Sequence, residues 1–259
     1  MDDASRFLAA YDEQLRTDAE TPSAVSVVPL GPLRLVTFAG GRGFITYASL
    51  DGADAAALVT AALEHYRADP AIERVEWKTR GHDAAPGLTE ALLAAGFVPD
   101  EEESIMIGRA SSLAVDVPLP AGVALRQVST EADVRAMSAM ADEVFGDEPS
   151  ERTADALLSR LARADGMELW VAEAAGAIVC AGRLEPVAGT EFAGIWGGAT
   201  LPGWRGRGIY RALTAARARS ALRLGATLVH SDSTGFSRPI LERAGLVEVS
   251  TTTPYRWRR

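Results

Sequence analysis

The stretch Pro202-Gly203-Trp204-Arg205-Gly206-Arg207-Gly208-Ile209-Tyr210 decides how this chain is read. It joins an extended apolar run, Glu191 to Thr200, to a helical pattern that starts at Arg207 and ends near Leu224. The start of a helix presents unpaired backbone N–H groups and the positive end of the helix dipole, and together these bind phosphate oxygens. Gly206 and Gly208 have no Cβ, so a diphosphate can approach the backbone closely. Arg205, Arg207 and Arg211 can add charge-assisted hydrogen bonds. Just upstream, Trp196-Gly197-Gly198-Ala199-Thr200 closes the strand with two glycines, a composition that marks a bulge or a ligand's close approach. An extended ligand arm can pair with the strand backbone there. Three competing motifs fail. Arg211 stands where a dinucleotide fingerprint needs glycine, no Gly-Lys-Ser or Gly-Lys-Thr occurs, and Gly235-Phe236-Ser237 lacks the closing glycine of a nucleophile elbow. The plainer alternative is a glycine-rich turn with solvated arginines.

Working outward, the C-terminal half reads as a strand at Val123 to Val128, then a helix opened by Thr130 with Glu131 and Asp133 in its first turn. A second helix follows Pro149-Ser150, with Leu157, Leu158 and Leu161 on one face. Three antiparallel strands come next, at 167–174, 177–187 and 191–200, the first two joined by a tight turn at Ala175-Gly176. After the helix that follows the loop come a strand (227–232), a short helix (238–244) and a last strand region (246–257). The N-terminal half has strands at 33–38, 43–47 and 75–79, helices at 53–66 and 86–95, and a returning strand at 97–107. Its Gly87-to-Phe97 stretch parallels Ser237 to Leu246: each is a short helix closing on Ala-Gly before a large apolar residue. We read this as a diverged internal duplication. Pro118 and Pro120 lie in an aperiodic segment, 110–122, that separates the halves into expected domains 1–119 and 120–259.

With 259 residues, the chain is long enough for two domains. Its net charge of −9 disfavours non-specific nucleic-acid binding and mildly favours cationic amines. Cys180 is the single cysteine, so neither an internal disulfide nor a cysteine-based zinc site is expected, and its apolar surroundings suit a buried structural role. The first residues lack a signal-peptide core and no apolar run reaches membrane-spanning length, so a cytoplasmic location is expected.

At Arg205-Gly206-Arg207-Gly208-Ile209-Tyr210 the chain resembles the GNAT superfamily of N-acetyltransferases, whose signature is Q/R-x-x-G-x-G/A. The flanking Thr200-Leu201-Pro202 and Ala212-Leu213, and the later run Ser233 to Leu246, are similar to the family as well, and the likeness covers most of 123–259. It implies an α+β fold of two GNAT-like domains, each with a mixed, mostly antiparallel sheet flanked by helices. It implies acetyl-CoA as cosubstrate: backbone amides from Arg205 to Tyr210 on the pyrophosphate, the strand end Gly198, Ala199 and Thr200 on the pantetheine, and Thr234 and Ser237 beside the thioester. The N-terminal half resembles a degenerate copy in which Ser49 to Asp54 replaces the loop, and no coenzyme A is expected there. Two positions depart from the family. Tyr210 replaces a small residue and is expected to crowd the cradle while leaving its N–H available. Leu241 stands where many members carry the tyrosine that protonates the leaving thiolate, and leucine donates no proton.

Acetyl transfer to an amine requires deprotonation of the amine, stabilisation of an oxyanion and departure of the thiolate. A backbone N–H near Ala199 or Thr200 is the candidate for the oxyanion. Glu191 and Asp232 are the candidate bases, acting through water, with Glu173 and Glu185 as weaker ones, and Tyr255 is a candidate substitute acid. His230 shares a strand face with Asp232 and reads as structural. The acidic segment holding Asp142, Glu143, Asp147, Glu148, Glu151 and Asp155 is either a lip for a cationic acceptor or a solvated loop. The function expected is acetyl-CoA-dependent transfer to a small-molecule or peptide amine. A non-catalytic acyl-CoA sensor is the alternative. No metal, nucleic acid or membrane is expected as a partner, and a homodimer is compatible with this reading.

Overall fold

The computed structural model describes residues 2–146, 148 and 150–259. In chain order the elements are α1 (Asp3–Gln14), β1 (Ser26–Leu30), β2 (Leu33–Phe38), β3 (Arg42–Tyr47), α2 (Ala55–Ala68), β4 (Arg74–Lys78), α3 (Leu88–Ala94), β5 (Val98–Pro99) and β6 (Glu103–Arg109). There follow α4 (Ala110–Leu113), β7 (Val123–Val128), α5 (Glu131–Phe145), α6 (Glu151–Leu161), β8 (Glu168–Ala174), β9 (Ala177–Pro186) and β10 (Phe192–Thr200). The chain ends with α7 (Ile209–Arg223), β11 (Leu228–Ser233), α8 (Arg238–Ala244), β12 (Val247–Thr252) and β13 (Pro254–Arg258).

Local chemistry sets many of these boundaries. Thr130 accepts the Asp133 N–H and Ser150 accepts the Arg152 N–H, so α5 and α6 begin at side-chain caps. Gly146, at φ 72°, stops α5. Ala175 and Gly176 both have positive φ, which matches the twist of the β8–β9 hairpin they join.

The first sheet has the order β1-β2-β3-β4-β13-β5 and the second the order β12-β6-β11-β10-β9-β8-β7. Both are mixed and mostly antiparallel. In the first, β3 and β4 run parallel with α2 as their crossover. In the second, β10 and β11 run parallel with α7 as theirs. Each of these β-α-β units follows a pair of antiparallel joins, β1–β2–β3 and β8–β9–β10. The two halves therefore repeat one plan, and α2 and α7 hold equivalent places.

Packing divides the chain into two units: residues 1–106 with 232–238 and 248–259, and residues 107–231 with 239–247. The sequence places a single boundary after residue 119, and the structure differs because the C-terminal strand does not stay with its own half. β13 is paired on both sides within the first unit, Tyr255 with Trp77 and Trp257 with Val75 on β4, and Tyr255 with Pro99 on β5. Tyr255 and Trp257 join the core formed by Leu35, Ile45, Leu63 and Trp77, and each large apolar side chain so buried contributes about 1.5–3 kcal/mol. Arg259 completes the docking by donating to the carbonyls of Tyr66, Arg67 and Asp69 at the end of α2. The expected last strand is in fact two, β12 and β13, separated at Thr253. α1 and β1 have no counterpart in the sequence reading; α1 is capped by Asp2 and buries Phe7 and Tyr11.

In the second unit the sheet is covered on both faces. Val134, Met137 and Leu157 of α5 and α6 pack on Leu169, Val171 and Ala181. Ile209 and Leu213 of α7 pack on Ala172, Val179 and Cys180. Cys180 is fully buried, and its Sγ lies 3.2 Å from the Thr200 hydroxyl.

Candidate functional site

The site of interest begins where β10 loses its regular pairing. The ladder between β10 and β11 runs from Phe192/Leu228 to Gly194/His230, while β10 itself continues to Thr200. On its other side, the register with β9 shifts between Trp196 and Ala199, a bulge with Gly197 at φ 60°. The two glycines of this strand end thus mark a bulge, as their composition suggests.

Gly198 has a second role. A Cβ there would lie 2.5 Å from the Tyr210 ring, so the glycine makes room for the tyrosine. The ring folds back onto the sheet, with the Arg217 guanidinium 5.7 Å from its centroid. This corrects the expectation that Tyr210 crowds the cradle: its side chain leaves the loop and only its backbone stays there. Arg217 is fully buried, donates to the Arg183 carbonyl (3.1 Å) and the Thr214 hydroxyl (3.2 Å), and fits because Gly182 lacks a Cβ. Arg217 falls two helical turns after Tyr210, a spacing visible in the sequence. That its charge would be buried was not.

The cradle itself is open. Gly208 is the N-cap of α7 at φ 78°, ψ −3°, and no side chain caps this end. Gly206 is also left-handed, at φ 71°. A Cβ at Gly206 would meet nothing within 4 Å, and one at Gly208 would barely reach Pro118 and Val117. The first-turn N–H groups of Ile209, Tyr210 and Arg211 therefore lack a side-chain cap and sit at the positive helix end beside open space, an arrangement that fits a diphosphate. The flanking arginines are partly engaged. Arg205 donates to the Thr200 carbonyl (3.0 Å), and Arg207 stacks 4.9 Å from the Trp204 ring. Arg211 is exposed and lines a cleft of about 250 Å³ with Arg243, Thr214 and Leu113.

The candidate catalytic residues fall in different units, Glu191 in the second and Asp232 and Tyr255 in the first. Glu191 lies at the opposite end of β10, about 20 Å from the bulge at a strand rise of ~3.3 Å per residue. Its carboxylate accepts the Thr227 hydroxyl at 3.1 Å. Asp232 is ion-paired with Lys78 at 2.7 Å in the first unit. Burial opposes the charge on Lys78, but Asp232, Tyr11 and Glu20 outweigh it and raise the lysine above its ordinary value. Tyr255 is packed into the first unit's core on β13. Glu173 is bound to Arg126, and Glu185 to Arg160 and Arg183. His230 lies edge-on to Phe192 and Trp196, at 5.6 and 5.1 Å.

Thr234 and Ser237 form the turn into α8: the Thr234 carbonyl accepts the N–H groups of Ser237 and Arg238 and, at 3.4 Å, the Ser237 hydroxyl. Leu241 is 1% exposed, and its carbonyl accepts the Leu246 N–H. Half of the acidic segment's six carboxylates are used internally. Asp142 accepts the Ser150 N–H, and Glu151 and Asp155 pair with Arg135; Asp147 lies outside the described residues. One carboxyl that the sequence reading passed over is Glu103, on β6 in the first unit. Burial, with Asp232 adding to it, pushes its pKa up to about 7. Only the run Glu101-Glu102-Glu103 marked it, and a run of acids at a strand start ordinarily reads as solvated.

No protein-family model and no curated protein match the sequence. Solved structures do. A GCN5-related N-acetyltransferase from Kribbella flavida superposes with a TM-score of 0.68 at 20% identity, over 99% of this chain and 96% of that one. A tandem GNAT protein from the clavulanic acid biosynthesis pathway gives 0.62 at 18% identity, covering 90% and 81%. A GCN5-related N-acetyltransferase from Sphaerobacter thermophilus gives 0.61 at 20% identity, covering 87% and 76%. With the repeated β-α-β plan and the uncapped glycine cradle, these likenesses give the chain the fold of the GNAT superfamily of N-acetyltransferases.

Proposed function

We propose that the chain is an acetyl-CoA-dependent N-acetyltransferase that passes an acetyl group to a primary amine by direct attack in a ternary complex. The observation that carries this reading is the uncapped start of α7, where Gly206 and Gly208 leave the first-turn amides open beside the β10 bulge. Backbone N–H groups from Gly206 to Tyr210 would hold the pyrophosphate, the Arg205 N–H being taken by the Pro202 carbonyl at 3.3 Å, and Arg211 would add charge. The unpaired edge of β10 beyond Gly194 would hold the pantetheine arm through Gly198 to Thr200, and a backbone N–H at Ala199 or Thr200 would face the reacting carbonyl. The cosubstrate supplies an activated acyl group on a thiolate leaving group. The amine is a small molecule or a peptide terminus or side chain, and the second unit is the one that binds the cosubstrate.

A thiol-release assay across amines, amino acids and peptides tests the proposal, with Gly208→Asp as the disabled control. Turnover with at least one amine, lost in the variant, is expected. Coenzyme A binding without turnover of any acceptor would instead favour a non-catalytic acyl-CoA sensor. That second reading is supported by Leu241, whose place in the core leaves no proton donor on α8 at the position where a tyrosine acid would stand.

A further inference from the structure

Across three neighbouring strands of the first unit, one row of the sheet is all arginine. Arg42 on β3 is directly opposite Arg74 on β4, and Arg74 is directly opposite Arg258 on β13. In the next row on the same face, Glu76 is opposite Arg256. Like charges placed opposite one another in a sheet destabilise it, so such a row requires something to offset it. Acidic partners within the protein do so incompletely. Arg256 is bound to Asp100 at 2.7 Å, and Arg42 stacks on Phe38 at 4.2 Å with Glu76 nearby. Among the described residues, Arg74 and Arg258 have no ion pair. The four arginines, with Glu76 and Trp257, line a cleft of about 190 Å³.

We propose that this arginine row is an anion-binding site for a small polyphosphate group, a diphosphate or triphosphate ester, separate from the cradle on α7. Planar guanidiniums present paired N–H donors that match phosphate oxygens. The row spans about 10 Å at a strand spacing of ~4.8 Å, which suits a chain of phosphates better than a single one. Arg42 is held by stacking and half-buried, so part of the site is rigid before binding. Burial, with Arg74 and Arg256 close by, also depresses its pKa, the electrostatic signature of crowded positive charge. A long polyanion is disfavoured by the chain's net charge of −9 and by the small cleft.

The test is calorimetric titration of the full chain with inorganic pyrophosphate and, separately, with inorganic phosphate. It is done in the Gly208→Asp background so that the α7 cradle does not contribute. One pyrophosphate site is expected, tighter than phosphate, and weakened at least tenfold by adding Arg74→Ala and Arg258→Ala. Both positions are exposed, so the variants should fold. As a check that reads the row itself, the two substitutions should raise the melting temperature without ligand by roughly 1–3 °C, because they remove repulsion, and abolish the rise that pyrophosphate causes. The proposal is overturned if pyrophosphate does not bind in the Gly208→Asp background, if phosphate binds equally well, or if the arginine substitutions leave the affinity unchanged.

Discussion

Helices α2 and α7 occupy the same place in the two sheets, each crossing between parallel strands, but their first turns are completed differently. At α2 the N-cap is Asp54, whose carboxylate accepts the Ala57 N–H at 3.1 Å. One orphan donor and the positive dipole end are already met by an anion that belongs to the chain. At α7 the N-cap is Gly208, with no side chain to cap it and three arginines nearby. The same architectural position is thus closed in one half and open in the other. An anion site at a helix start depends on whether the protein supplies its own anion, and one residue decides that.

The largest expected effect comes from making α7 resemble α2. Gly208→Asp should lower affinity for coenzyme A by about 100-fold or more, since a carboxylate would take the amides that the pyrophosphate needs and repel it. Aspartate tolerates left-handed φ better than most residues, so the melting temperature should stay near that of the wild type. Calorimetry beside a thermal melt checks both, and unchanged affinity would mean that the open cap is not the binding determinant.

Next comes a position where the two halves agree. Leu92 on α3 and Leu241 on α8 are both buried, and their carbonyls accept the N–H groups of Phe97 and Leu246, each followed in space by a left-handed glycine turn at Gly96 or Gly245. A tyrosine at 241 has to enter a filled core. Leu241→Tyr should cost about 1–3 kcal/mol of stability, seen as a lower urea midpoint, and should not raise the acetylation rate. A faster, equally stable enzyme would show that the α8 position is still shaped for an acid.

Removing the closed cap probes the other side of the comparison. Asp54→Ala should cost about 1 kcal/mol while leaving coenzyme A affinity unchanged, as the proposed placement of the cosubstrate in the second unit requires. New coenzyme A binding at α2 in this variant would show that Asp54 alone kept that site closed.

The smallest effect is a pH dependence carried by the first unit's other notable carboxyl. Glu103 has a folded-state pKa raised from 4.5 to about 7. Between those values the folded chain holds a proton that the unfolded chain has released, so stability falls as pH rises through the window. Urea melts from pH 4 to 8 should show this slope, and Glu103→Gln should flatten it. An unchanged slope in the variant would assign it to another group.

Much of the fold was legible because it is written locally. Thr130 and Ser150 cap α5 and α6, Ala175-Gly176 turns β8 into β9, and the Ala-Gly closures end α3 and α8. Each works within a few residues, so composition and spacing reveal it. The uncapped start of α7 was legible for the same reason: Gly206 and Gly208 set it through their own backbone. The catalytic candidates were less so. Glu191 and Asp232 stand out in the sequence as acids at strand ends, but whether a strand-end acid faces a site depends on which end and on what pairs with it. Glu191 proved to be at the remote end of β10, and Asp232 is taken by Lys78, 154 residues away in the chain.

The sequence by itself determined that a glycine-rich junction would join a strand to a helix that starts without a side-chain cap, and that two related halves would share one plan. Tertiary structure alone decided that β13 leaves its own half to pair with β4 and β5. It also decided that Tyr210 turns away from the cradle onto Gly198, and that Arg42, Arg74 and Arg258 come into one row. The physical reason is the same in each case. Backbone conformation and helix capping are set by neighbours along the chain, whereas strand partners and side-chain destinations are set by which distant surfaces bury one another. Alternation in Tyr255-Arg256-Trp257-Arg258 announces a strand with one apolar face but carries no record of the sheet that will receive it.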